Sequence, residues 1–159
     1  MSKFLDSIIG FSVGDAMGMA TEFQQRETLF KNPVKEMLDS SIMGQPAGSW
    51  TDDTSMVIGT IVSFIENKKF NYSDIMSKWC AWINNGDYTP NGECFDIGRT
   101  CLKACRNFTD GIEPTKCGLD SINSNGNGSL MRMIPIALYS YYRNLSNEEM
   151  MILSDNISS

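Results

Sequence analysis

Four short runs in this sequence place oxygen-bearing groups where they could do chemistry. The first is Gly48-Ser49-Trp50-Thr51-Asp52-Asp53-Thr54. Inside a regular helix, neighbouring side chains diverge by about 100°, so adjacent aspartates there point apart. At a helix start, the incoming loop and first turn let the Thr51 hydroxyl and the Asp52 and Asp53 carboxylates converge on one hard cation. An all-oxygen set of this kind suits Mg²⁺, Mn²⁺ or Ca²⁺. The plain alternative is a Thr cap followed by two aspartates favourably placed on the helix dipole.

The second run is Ser124-Asn125-Gly126-Asn127-Gly128-Ser129. Gly and Asn tolerate left-handed backbone, so successive N–H groups can turn inward beside a helix start and hold a phosphate. An ordinary surface turn has the same composition, and the GK[ST] element of a P-loop is absent. The third, Cys94-Phe95-Asp96-Ile97-Gly98, puts a carboxylate at an expected helix start, where capping again competes with function. In the fourth, Gly14-Asp15-Ala16-Met17-Gly18 leads to Glu22, seven residues beyond Asp15 and two turns along one face if the helix continued.

Helical periodicity dominates the elements that must position these runs, and no alternating pair of segments reads as a hairpin. The expected helices are 3–20, 51–67, one capped by Ser73 with Trp79 and Trp82 on its buried side, 96–106, 129–142 started late or kinked by Pro135, and a last one opened by Ser146 and Glu149 at capping-box spacing. The first places Leu5, Ile8, Ile9, Val13, Ala16 and Met17 on a broad apolar face. Gly10, Gly14 and Gly18 recur there at every fourth residue, a costly pattern in a helix that predicts close approach of another backbone or a ligand. The fold class is therefore all-α, in one domain spanning 1–159.

Composition narrows the chemistry. The 159 residues include no histidine, which removes Ser-His-Asp and Cys-His pairs and HExxH zinc sites and leaves carboxylates, thiols, hydroxyls and lysine. Thirteen basic against nineteen acidic residues give a net charge of −6, with no basic run to meet a phosphate backbone, so nucleic acid is not an expected partner. The five cysteines, 80, 94, 101, 105 and 117, contain no CxxC; Cys101 and Cys105, a turn apart, read as core residues. Their odd number and a short N-terminal apolar run bracketed by Asp6 and Asp15 point to a cytoplasmic protein with neither leader nor membrane span.

In combination and order, the four runs, with Met56 after the second aspartate and Met131, Arg132 and Pro135 after the Asn-Gly loop, resemble the ADP-ribosylglycohydrolase family. The Phe-Asp-Ile-Gly element is most similar to its bacterial dinitrogenase reductase-activating branch. The resemblance implies an orthogonal all-α multi-helix bundle with a binuclear Mg²⁺ or Mn²⁺ centre that removes ADP-ribose from modified side chains, arginine favoured. By motif match, Thr51, Asp52 and Asp53 would bind metal, and Glu22 would contact a coordinated water or the distal ribose. Asp96 would face the scissile bond and pair with the leaving guanidinium. Gly98 and the loop Ser124, Asn125, Gly126, Asn127 and Gly128 would hold the ADP-ribose.

Family members run to about twice this length, and their C-terminal half carries a second acidic element, Asp-x-Asp-Thr, that nothing after Ser129 matches. The resemblance thus implies the N-terminal half of the bundle, at most a partial metal site, and weak or absent activity for the chain alone. It also implies apolar surface left for self-association or for a complementing C-terminal half. Beside the hydrolase stand two alternatives: a catalytically inactive module binding ADP-ribose or ADP-ribosylated protein, and a small helical interaction protein whose runs are only caps and turns.

Overall fold

A computed structural model describes residues 2–159. Seven α-helices, α1 (Lys3–Gly18), α2 (Arg26–Lys31), α3 (Asp52–Asn67), α4 (Tyr72–Asn85), α5 (Arg99–Thr109), α6 (Ile134–Arg143) and α7 (Asn147–Ser158), are joined by loops and three 3-10 turns, Met19–Thr21, Pro114–Lys116 and Leu130–Arg132. Among the described residues there is no strand, only an isolated antiparallel bridge between Ser40 and Gln45. Nor, among the described residues, is any helix long and apolar enough to cross a membrane.

The antiparallel pair α3 and α4 is the centre of the bundle. Helix α3 buries the small and hydroxyl-bearing residues Thr54, Ser55, Gly59, Thr60 and Ser63, of which Ser55, Gly59 and Ser63 fall on one face at four-residue spacing. That face lets α4 come close: a Cβ at Gly59 would already touch Trp79 and Tyr88 at 3.4 Å. Trp79 donates its indole N–H to the Met56 carbonyl at 3.0 Å, so its ring is buried with its one polar atom satisfied. Trp82, Ile75 and Met76 continue the same stripe, and Cys101, Cys105, Met131, Ile136 and Ile157 close the core from the other side. Burial of this stripe supplies the dominant stabilisation.

The expected helices form, with shifted boundaries. Asn71, not Ser73, caps α4, because its Oδ1 accepts from the Asp74 N–H. The helix expected from Asp96 begins only at Arg99, behind Gly98, which leaves Asp96 in the preceding loop. Pro135 does start its helix late: a 3-10 turn precedes α6 and the proline occupies its first turn. The Ser146–Glu149 capping box is complete in both directions.

Helix α1 departs furthest from expectation. Its buried side is carried by Ala16, while Leu5, Ile9 and Val13 are each more than 40% exposed. Nothing lies within 4 Å of a Cβ built at Gly10, Gly14 or Gly18, so the close approach those glycines predict is not present. Phe30, Ile122, Leu130, Tyr141, Tyr142 and Met151 are likewise exposed on the surface.

Arg132 is buried without a carboxylate partner. Its guanidinium lies 4.7 Å from the Trp79 ring centroid and donates to the Ile157 and Ser158 carbonyls at the end of α7 and to Cys101 Sγ. One side chain therefore joins the 3-10 turn after the Asn-Gly loop, the central helix pair and the last helix.

Candidate active site

The start of α3 assembles the site. Thr51 is its N-cap, in extended backbone, with its hydroxyl accepting from the Asp53 N–H at a long 3.4 Å. Asp52 follows, 8% exposed, and accepts the Gly98 N–H at 3.4 Å, which ties α3 to the loop before α5. From α1, Asp15 reaches across to accept the N–H groups of Thr51 and Thr54. Sequence separation hides that contact: Thr51 lies 36 positions after Asp15, and only the fold brings them together.

Glu22 and Asp96 arrive from two different loops. Helix α1 ends at Gly18, a 3-10 turn follows, and Glu22 leaves that turn in extended backbone. The next residue, Phe23, has φ 61°, a left-handed conformation costly for an aromatic residue, immediately beside the acidic side chain. Burial raises the Glu22 carboxyl to about 7, and every charged neighbour adding to the shift is another carboxylate: Asp96, Asp52, Asp53 and Asp15. Asp96 is raised to about 6 by burial, then by Asp52 and Asp15. Asp53 is pushed to about 7 by burial and by Asp52 and Asp15, and Asp52 is also raised, mainly by burial. The five carboxylates thus form one electrostatically frustrated cluster. Cys94, beside it, is held as a neutral thiol, its pKa lifted to about 11 by burial and by Asp52 and Asp96.

The Asn-Gly loop faces Asp52 of this cluster; Glu22, Asp53 and Asp96 lie outside the lining of the space between them. A cavity of roughly 290 Å³ is lined by Asp52, Gly98, Arg99, Thr100 and Cys101 on one side and by Asn123, Asn125, Gly126, Asn127 and Gly128 on the other. Ser124 stands behind the lining, its hydroxyl 2.7 Å from that of Ser121. Gly98 caps α5 without a side chain, so the first-turn N–H groups of that helix are left for a ligand or water. Arg99, Thr100 and Asn123 line the cavity although no motif singles them out; a helix start facing a Gly-rich loop is the signal that could have found them.

The whole chain, residues 1–159, matches the model of the ADP-ribosylglycohydrolase family. The chain belongs to this family. It is 32% identical over 136 residues to ADP-ribosylarginine hydrolase Tri1 of Pseudomonas putida, covering 84% of this chain and 35% of that one. Identity to ADP-ribosyl-[dinitrogen reductase] glycohydrolase of Rhodospirillum rubrum is 26% over 138 residues, 86% of this chain and 44% of that one. A solved structure described as an ADP-ribosylglycohydrolase-related protein complex superposes with TM-score 0.74 at 25% identity, over 97% of this chain and 47% of the other. The chain spans between a third and a half of the length of these relatives, and family membership replaces the reading as an unrelated helical interaction protein.

As a member of the ADP-ribosylglycohydrolase family, the chain carries hard oxygen donors at the α3 start in a cluster with excess negative charge, which is the donor chemistry a divalent cation needs. Among the described residues, no group of three or more His, Cys, Asp or Glu side chains is arranged to hold a metal ion. A cation here would therefore rest on the Thr51 hydroxyl, the two aspartates and water.

The cluster sets a pH dependence of stability. Glu22, Asp53 and Asp96 have pKa values raised on folding, from 4.5 or 3.8 to about 6–7. A raised carboxyl favours the folded state fully below its unfolded pKa, and that contribution is lost as pH climbs through the folded value. Without divalent cations, the melting temperature is expected to be lower at pH 8 than at pH 5.5, and Mg²⁺ to recover part of the difference at pH 8. A melting temperature independent of pH across this window, measured by circular dichroism, would contradict the shifts.

Proposed function

We propose that this chain supplies the substrate-facing half of an ADP-ribosyl-protein hydrolase that cleaves the C1–N bond between ADP-ribose and an arginine side chain. The observation that carries the reading is the cavity in which the acidic α3 start faces the Asn123–Gly128 loop and the uncapped α5 start. Its lining offers N–H groups for the pyrophosphate and, at Asp52, the edge of the carboxylate cluster from which Glu22 and Asp96 would meet the ribose and the guanidinium.

In this reading Asp96, titrating near 6 and ionised at neutral pH, pairs with the guanidinium; as the C1–N bond breaks its electron pair stays on nitrogen, water adds its oxygen to C1, and the proton that water releases restores the guanidinium. Glu22, titrating near 7, holds or gives up a proton at its carboxylate as the ribose reacts. The backbone of the loop and of the α5 start orients the diphosphate, and the half-buried setting of Glu22, Asp53 and Asp96 limits the water around the reacting carbon. Thr51, Asp52 and Asp53 are the residues that would hold Mg²⁺ or Mn²⁺, and such a cation would supply polarisation of ribose hydroxyls and offset the negative charge of cluster and substrate. The family's second acidic element has no match here, so the chain alone is expected to turn over weakly or not at all. A complementing C-terminal half, or self-association through the exposed apolar residues, and a cytoplasmic setting belong to the same proposal.

Metal-dependent release of ADP-ribose from an ADP-ribosyl-arginine peptide tests the assignment. The chain alone should release little, and it should bind ADP-ribose by calorimetry more tightly with Mg²⁺ than without. Absence of binding in both conditions would overturn the reading. Binding that persists without any turnover, even after a C-terminal half from a relative is added, would favour the inactive ADP-ribose-binding module.

A further inference from the structure

The cap of α3 is divided in an unusual way. An N-cap threonine ordinarily uses its hydroxyl oxygen to accept from the second or third N–H of the helix. Here the third, that of Thr54, goes instead to Asp15 at 3.0 Å, and so does the N–H of Thr51 itself. The one cap bond left to the Thr51 hydroxyl oxygen is the 3.4 Å contact from Asp53 N–H. Asp15 also accepts the hydroxyl proton of Thr51, at 2.7 Å, the shortest of these contacts. A residue on a different helix shares the capping: Asp15 takes the third N–H, and the Thr51 hydroxyl oxygen keeps only the long contact from the second.

Asp15 also dictates which way that hydroxyl faces. With its proton committed to Asp15 at 2.7 Å rather than to Asp53 Oδ2 at 3.5 Å, the Thr51 oxygen keeps its lone pairs on the side away from Asp15, where the only donor among the described residues is the long Asp53 N–H contact. A cation needs lone pairs and is repelled by a hydroxyl proton, so the orientation decides whether threonine can be a ligand at all. We propose that Asp15 is a positioning residue that fixes Thr51 as a cation ligand; this rests on the metal site proposed above. In D15N the amide oxygen can keep the Thr51 and Thr54 N–H groups that Oδ2 accepts now, while the amide NH₂ in the place of Oδ1 donates to Thr51 Oγ1, occupying a lone pair and freeing the hydroxyl proton to face the cation.

The test is a double-mutant cycle on Mn²⁺ affinity, read by electron paramagnetic resonance of the free ion, with the chain and its D15N, T51V and D15N/T51V variants. D15N and T51V should each weaken Mn²⁺ binding about tenfold, the usual scale for outer partners of metal ligands, and the double variant should be no weaker than the weaker single one. T51S should recover most of what T51V loses. Wild-type affinity in D15N, or losses that multiply in the double variant, would overturn the proposal while leaving the metal site intact. Wild-type affinity in T51V would overturn it even if D15N fails to fold. No Mn²⁺ binding by the wild-type chain would overturn the metal site and this proposal together.

Discussion

Replacing Asp52 and Asp53 together by asparagine is expected to abolish Mn²⁺ binding and, at pH 8, to raise the melting temperature. The two effects share one cause. Asp52 and Asp53 are held among Asp15, Glu22 and Asp96, and burial and mutual repulsion raise the pKa values of Glu22, Asp52, Asp53 and Asp96. Asparagine keeps the shape, and its Oδ1 can still accept the Gly98 N–H that Asp52 accepts now. After allowance for the part-exposed position of Asp53, removing two negative charges should stabilise by on the order of 1–2 kcal/mol, about 5 °C for a domain of this size. Cation affinity should fall by at least about 100-fold, because a neutral amide offers far less to a divalent ion than a carboxylate. Stability given up for function is common at binding sites. Thermal melts at pH 8 and pH 5.5 check the first effect, since the gain should shrink where the carboxylates are already protonated. A fall in melting temperature at pH 8 would mean that the aspartates stabilise α3 as dipole partners and nothing more.

The second large effect is expected at Gly128. A Cβ there would lie 2.8 Å from the sulfur of Cys101, itself buried, and 3.7 Å from Thr100 Oγ1. Since neither the loop nor the first turn of α5 can yield without moving the cavity wall, G128A should weaken ADP-ribose binding by about 100-fold. Its cost to stability should be about 1–3 kcal/mol, as for other overpacked contacts. The C101A change removes the sulfur that the new methyl meets, so G128A/C101A should regain much of the affinity. If G128A binds ADP-ribose as the wild type does by calorimetry, the loop is not part of the binding wall.

Much of this site was legible because its residues sit in short runs whose chemistry is local. The cap at Thr51, the adjacent aspartates, the Asn-Gly loop before a proline-started helix, and the Ser146 box each follow from rules spanning three or four residues. The Trp79 and Trp82 side of α4 and the core placement of Cys101 and Cys105 followed from helical spacing alone. What escaped was long-range. Asp15 as the acceptor of α3 N–H groups, Gly98 as donor to Asp52, and Arg99 and Thr100 as cavity lining depend on how α1 and α5 meet α3, and no spacing encodes that. The outward face of α1 was misjudged for a related reason. Leu5, Ile9 and Val13 have the periodicity of a buried stripe, but periodicity says only that a face is apolar, not what lies against it.

Arg132 gives the bundle a property that a list of contacts does not convey. Its guanidinium spans the turn after the binding loop, the Trp79 ring and the last carbonyls of α7. Opening α7 would strip two acceptors from a buried cation, and releasing the loop would draw that cation off the aromatic face, so each event raises the free energy of a state in which the other has not occurred. Loop and last helix therefore belong to one cooperative opening unit. Ligand that quiets the loop would slow amide exchange at the far end of the chain, linking substrate binding to the order of the helix nearest the C-terminus.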